Sequence, residues 1–132
     1  MSLSPEKLQE VAASYSKAWS SGSAEAVASH YAPDGQITIN RGDPIKGQAA
    51  VIEMVKGFKT EFPDLALQCD FQRLAGNHAI FVWTLEGHHV ETKKFVKVGG
   101  WEEWELDENY KVTVSLGWFD AVEYERQIAE GV

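Results

Sequence analysis

Residues 76–120, GNHAIFVWTLEGHHVETKKFVKVGGWEEWELDENYKVTVSLGWFD, decide the fold. Within this stretch HAIFVWTLEGHH, Phe95 to Leu106 and KVTVSLGWFD alternate large apolar with polar residues, the period that lets a pleated strand bury one side. They predict three consecutive strands, which hold four of the five tryptophans and three of the four histidines. Gly99 and Gly100 fall inside the second of them, where adjacent glycines mark a bend, a bulge or the close approach of another group. Trp101 and Trp104 differ in parity, so one faces the interior and the other an edge or an interface.

Upstream, Ser4 reads as an N-cap, Pro5 as the first helical residue and Gly22 as the stop of a helix whose inward face is Leu8, Val11, Ala12, Tyr15 and Trp19. Ser23 caps a short second helix through Tyr31, and APDG, Ala32 to Gly35, reads as a turn in which Pro33 presets φ and Gly35 tolerates a positive one. Gln36 to Asn40 alternates as a short strand, and RGDPIKG is a loop. A third helix covers Gln48 to Phe62, with Val51, Met54, Val55, Phe58 and Phe62 on its apolar face and Pro63 after it. Leu65 to Leu74 forms another strand, and a short amphipathic helix, Ala121 to Ala129, ends the chain. The order predicts one α+β domain over residues 1–132, with helices gathered on one side of an antiparallel sheet.

Composition narrows the partners. A formal charge of −8 and scattered basic residues argue against nucleic acid or an anionic membrane, both of which reward clustered Lys and Arg. Cys69 is the single cysteine, which excludes an intrachain disulfide and fits a reducing compartment. The start MSLSPEKLQE lacks a secretory pattern, and no apolar run reaches the length of a membrane span, so a cytoplasmic protein is expected.

Several polar residues stand out against apolar neighbours. Period two places Val112, Val114, Leu116, Trp118 and Asp120 on one face, leaving a carboxylate at a strand end after four apolar residues. Apolar surroundings raise a carboxyl pKa towards the range where it both takes and gives a proton, while capping of the last helix is the alternative role for Asp120. His89 shares a face with Phe81, Trp83 and Leu85, whereas His88 points the other way, so the pair does not suit one metal ion. An imidazole near an aspartate shuttles protons at neutral pH; a histidine at a solvent edge is the plainer reading. Trp83, Trp101, Trp104 and Trp118, with Met54 and Phe58 from the third helix, are candidate walls for a flat apolar ligand, or else core, or a dimer face. Trp19 and Asn40 complete the candidate ligand-binding set.

Tyr15 to Gly22, HYAPDG, FPDL, WTLEGHH and KVTVSLGWFD together resemble the nuclear transport factor 2-like superfamily, in particular its SnoaL-like and ketosteroid-isomerase-like branch, over nearly the whole chain. The resemblance implies a cone-shaped curved sheet wrapped around three N-terminal helices, a deep apolar pocket between them, and a homodimer through the outer sheet face. It implies Asp120 as the catalytic acid/base, matching the aspartate that ends this strand in SnoaL-like cyclases, and His89 as the histidine of a WTLxGxH pattern. Tyr15, seven residues before Gly22, has the offset of the isomerase tyrosine that donates to a developing oxyanion. Counting back from Lys111, Glu102 falls where that family keeps a protonated aspartate, and the two would make a two-donor oxyanion hole. Several acids around Trp104 also fit a solvated strand edge, and Tyr15 also fits plain core. The isomerase general base finds Ile39 and Asn40 in its place, a departure from that activity, and the Asp-Arg-Asp set of limonene epoxide hydrolases has no evident counterpart. The expected function is cofactor-independent acid/base chemistry, of the isomerase or polyketide-cyclase type, on a small apolar carbonyl-bearing molecule, with no metal. A non-catalytic ligand-binding or dimeric accessory module of the same fold is the alternative.

Overall fold

A computed structural model describes residues 3–132. Helix α1, Pro5–Ser21, starts where the Ser4 side chain accepts the Lys7 N–H and stops at Gly22. Its face of Leu8, Ala12, Tyr15 and Trp19 is buried. Helix α2, Ala24–Ala28, is capped by Ser23; α3 is Gln48–Glu61 and α4 is Ala121–Glu130. The strands are β1 Tyr31–Ile39, β2 Ile45–Lys46, β3 Ala66–Ala75, β4 His78–His88, β5 Phe95–Leu106 and β6 Val112–Phe119. They form one curved sheet in the order β2-β1-β6-β5-β4-β3, antiparallel except where β1 runs parallel to β6.

Four local expectations are corrected near the first strand. Helix α2 ends at Ala28, and Tyr31 already pairs with Val112, so APDG lies inside β1 as an irregularity between Tyr31 and Gln36. Gly35 does not have a positive φ. Its glycine is needed for proximity instead, because a Cβ there would lie 2.5 Å from the Val112 carbonyl oxygen. The RGDPIKG segment also contributes the short strand β2, paired to β1 at Ile37 and Gln36.

The long strands alternate as their sequences predict. Phe81, Trp83 and Leu85 of β4 and Val96, Val98, Trp104 and Leu106 of β5 are buried in the core, where Tyr15 of α1 meets Phe81 and Trp104 and α4 lies along β5. Trp104 is 1% exposed and Trp101 is 41% exposed, which settles their opposite parity: Trp104 is core and Trp101 lies on the outer face. Strand β6 departs from strict alternation. Leu106 pairs with Val112 but Glu105 pairs with Val114, so Thr113 is an extra residue. Such a bulge reverses the facing of everything beyond it. Val112, Ser115 and Gly117 therefore turn inward, while Val114, Leu116 and Trp118 turn outward, and the expected single face of Val112, Val114, Leu116, Trp118 and Asp120 does not exist. Helix α4 closes one side of the sheet, held by Gln127, whose Oε1 accepts the Lys97 N–H at 2.7 Å.

Candidate functional site

Between the inner face of the sheet and the helices lies an apolar cavity of about 60 Å³. Trp19 of α1, Met54 and Phe58 of α3, Trp83 of β4, Phe119 of β6 and Tyr124 of α4 wall it. Two glycines make the room. At Gly117, opposite Glu102 in the register, a Cβ would meet Ile37, Ile39 and the Glu102 side chain at 3.6 to 3.9 Å. At Gly100, paired with Trp83, a Cβ would collide with the indole that now lies across it.

Glu102 is the one carboxylate in this lining. The sheet turns its side chain inward because β5 alternates without interruption here, and it is only 6% exposed. A buried carboxylate needs donors, and four surround it. Oε1 accepts Trp104 Nε1–H and Ser115 Oγ–H, both at 2.8 Å, and more distantly the Tyr31 hydroxyl at 3.5 Å. The Tyr15 hydroxyl donates to both oxygens, 3.2 Å from Oε1 and 3.1 Å from Oε2, and lies 3.0 Å from that of Tyr31. Oε1 is thus held from several sides, while among the described residues Oε2 has Tyr15 alone. Burial pushes the Glu102 pKa above the ordinary carboxylate value, and the donors of Trp104, Ser115, Tyr15 and Tyr31 restrain that rise. Burial, and next the negative charge of Glu102, raises both tyrosines well above their ordinary value, so they act as proton donors. The aromatic packing is rigid: Phe81 stacks on Trp104 with ring centres 5.0 Å apart, and Tyr15 meets both edge-on at 5.3 Å.

The expected site residues divide. Tyr15 and Glu102 come together, and Trp19, Met54, Phe58 and Trp83 line the cavity beside them. Asp120 is exposed and caps α4, its Oδ1 accepting the Glu123 N–H at 3.0 Å, the alternative that its position allowed. His89 is buried outside the cavity lining, against Phe62. Its Nδ1 accepts the N–H groups of Glu91 and Thr92, which leaves Nε2–H to donate to Glu61 at 3.3 Å. It organises the turn after β4, and no hydrogen bond joins it to Asp120. Asn40 accepts the Phe119 N–H at 2.9 Å and ties the end of β1 to β6, away from the cavity. Trp104 acts behind the wall, as a donor to Glu102. Trp118 borders the cavity, yet it pairs with Trp101 on the outer face, and the Arg41 guanidinium lies 5.6 Å from its ring centre. Among the described residues no His, Cys, Asp and Glu cluster could hold a metal ion.

Sequence reasoning missed Tyr31 and Ser115 beside Glu102, and Phe119 and Tyr124 in the cavity wall. Tyr31 was hidden by its assignment to a helix end. Ser115, a small polar residue in an apolar strand, was a visible signal, but strict alternation put it on the outer face.

No curated protein matches this sequence. Solved structures of the same fold are numerous. A candidate SnoaL-like polyketide cyclase from Jannaschia sp. CCS1 aligns over 100% of this chain and 99% of its own, with 13% identity and a TM-score of 0.83. A candidate polyketide cyclase from Xanthomonas campestris pv. campestris aligns over 94% and 98%, with 14% identity and a TM-score of 0.83. A ketosteroid-isomerase-like protein from Catenulispora acidiphila DSM 44928, crystallised in complex with trimethylamine, aligns over 89% and 91%, with 14% identity and a TM-score of 0.82. At such identities the likeness establishes the fold. The family model of the SnoaL-like domain matches residues 11–114, from the middle of α1 into β6. The chain belongs to the SnoaL-like domain family, within the nuclear transport factor 2-like superfamily.

Proposed function

We propose that the protein is an acid/base enzyme of the isomerase or cyclase kind, acting on a small apolar carbonyl compound, with Glu102 carrying the proton. The observation that supports this most is one buried carboxylate, its pKa raised by burial, bordering an otherwise apolar cavity. A carboxylate in such surroundings is basic enough to remove a proton from carbon beside a carbonyl and acidic enough to return it. Ser115 and Trp104 hold Oε1, and Oε2 is the oxygen left to take the proton. Asp120, the acid/base that the family resemblance suggested, is committed to the α4 cap and meets solvent.

Exchange of the α-hydrogens of cyclohexanone in D2O, followed by NMR, tests the reading. Glu102→Gln keeps the shape but cannot take the proton, and it is expected to slow exchange by about 10²-fold. Asp120→Asn is expected to leave exchange unchanged. A Glu102→Gln protein as fast as the native one removes Glu102 from the chemistry.

The cavity's small volume favours a second reading, a pocket that holds a small molecule without turning it over. The Catenulispora protein's complex with trimethylamine shows a ligand of that size on this fold. For the assembly, we propose a homodimer through the outer sheet face, where Phe71, Trp101 and Leu116 are exposed together with half-buried Ile80, Val82 and Val114. Sedimentation is expected to give twice the chain mass for the native protein and the chain mass for Trp101→Arg. A native monomer overturns the dimer.

A further inference from the structure

The cavity wall contains polar atoms that the fold leaves unpaired. Trp19 is 6% exposed and Tyr124 8%, yet Trp19 Nε1 and the Tyr124 hydroxyl have no hydrogen-bond partner among the described residues; Trp118 Nε1 is a third such atom, on a side chain that turns to the outer face. A buried donor without a partner is destabilising, and nearly all such groups in folded proteins are satisfied. Trp19 and Tyr124 line the same cavity as Glu102. The two groups ask for different things. A tyrosine hydroxyl donates or accepts, so it says little about its partner, whereas an indole N–H only donates. Whatever pairs with Trp19 must be an acceptor.

Trp19 is also in the right neighbourhood. Its ring meets Tyr15 and Phe58 edge-on, at 6.5 and 6.0 Å between centres. Burial, Glu102 and Tyr31 raise the Tyr15 pKa, and the Trp19 indole N–H, on the side of the Tyr15 hydroxyl, lowers it, although the two do not meet in hydrogen-bond geometry. The other donors around Glu102 are engaged. Tyr15 has one hydroxyl proton and directs it to Glu102, and Trp104 and Ser115 do the same. With Glu102 ionised, as its role as a base requires, the Tyr15 and Glu102 pair does not offer the ligand two donors, because one member accepts from the other.

We propose that Trp19 Nε1–H is the donor that receives the carbonyl oxygen of the ligand, beside the Glu102 carboxylate, and that it selects oxygen-bearing ligands over hydrocarbons of the same shape. The ligand class rests on the reading of Glu102 given above. In the reaction the α C–H bond breaks, its proton passes to Glu102 Oε2, and its electron pair forms the enolate double bond. Charge gathers on the oxygen, where the indole N–H meets it. Return of the proton to a carbon of the same skeleton restores the carboxylate.

Cyclohexanone and methylenecyclohexane, which differ by C=O against C=CH2, are the probes. In ¹⁵N-labelled protein the five tryptophans give separable indole signals, and that of Trp19 is assigned sequentially and by its loss in Trp19→Phe. Cyclohexanone is expected to move the Trp19 indole signal and methylenecyclohexane to leave it in place. In Trp19→Phe the affinity for cyclohexanone is expected to fall about 5- to 10-fold more than that for methylenecyclohexane, which senses only the change in ring size. An unmoved Trp19 signal under saturating cyclohexanone, equal affinities for the two probes, or binding of neither overturns the proposal. If the variant does not fold, the shift in the native protein decides alone. Cyclohexanone that binds and moves the signal without Glu102-dependent exchange defeats proton transfer and keeps the donor. Exchange that persists undiminished in Trp19→Phe defeats the donor and keeps Glu102.

Discussion

Gly100→Ala is expected to destabilise the protein by about 3 kcal/mol, while Gly99→Ala, one residue away, stays within about 0.5 kcal/mol of native. A Cβ on Gly100 would lie 2.3 Å from the Trp118 carbonyl oxygen and 2.5 and 2.7 Å from two atoms of the Trp83 ring. The ring could swing aside. The carbonyl belongs to the paired strand β6 and moves only if the ladder moves. A Cβ on Gly99 meets nothing closer than the Trp83 carbonyl oxygen at 3.6 Å, an ordinary contact. Urea unfolding of the two variants measures the difference. Equal stabilities would show that β5 and β6 separate at little cost. Because Trp83 also walls the cavity, Gly100→Ala should in addition weaken any ligand that fills it.

Trp104→Ala is expected to cost about 4 kcal/mol, and Trp104→Phe about 1.5 kcal/mol. The alanine variant removes a fully buried ring stacked on Phe81 and met edge-on by Tyr15, and its neighbours collapse only partly into the hole. The phenylalanine variant keeps most of the ring and deletes the donor that lies 2.8 Å from Glu102 Oε1. That second change also reaches the chemistry. The Trp104 N–H is the largest of the influences restraining the rise in the Glu102 pKa, so its loss lets burial act more fully. A base works only when ionised, so the acid limb of the exchange rate against pH should move to higher pH in Trp104→Phe, with the plateau rate little changed. An acid limb that stays in place would mean that Trp104 supports Glu102 by packing alone.

The glycine pair shows how far the sequence could be read. Adjacent glycines in a strand announced a bend or a close approach, but only the register, which puts Trp83 and Phe119 across from Gly100, shows which glycine is irreplaceable. Most helix ends were legible because they are local events, the end of α2 being the exception. Ser4 with Pro5, Ser23, and the residues before Pro63 mark them without reference to the rest of the chain. Strands β4 and β5 were legible because their alternation runs unbroken, and that placed Glu102 with Trp104 correctly.

Asp120 was misplaced for the opposite reason. Its inward facing rested on counting by twos through Thr113, and a bulge is set by the partner strand rather than by the residue that occupies it. The same miscount concealed Ser115, and the irregular start of β1 concealed Tyr31. Tyr15 and Glu102 met as the family resemblance implied. Their roles could not be read from one-dimensional spacing, since the direction of a proton between two side chains depends on every other donor around them.

The single additional residue at Thr113 gives the start of β6 slack in chain length. Removing one residue between Lys111 and Val114 would leave a straight ladder in which Val114 still meets Glu105, Ser115 meets Trp104 and Gly117 meets Glu102, so Ser115 and Gly117 would keep their inward facing. The carboxylate would keep its hydroxyl donor and the room beside it. The polar end of the cavity thus depends on the residues that follow the bulge and on their partners in β5, and a loss of three nucleotides at the bulge itself would spare it.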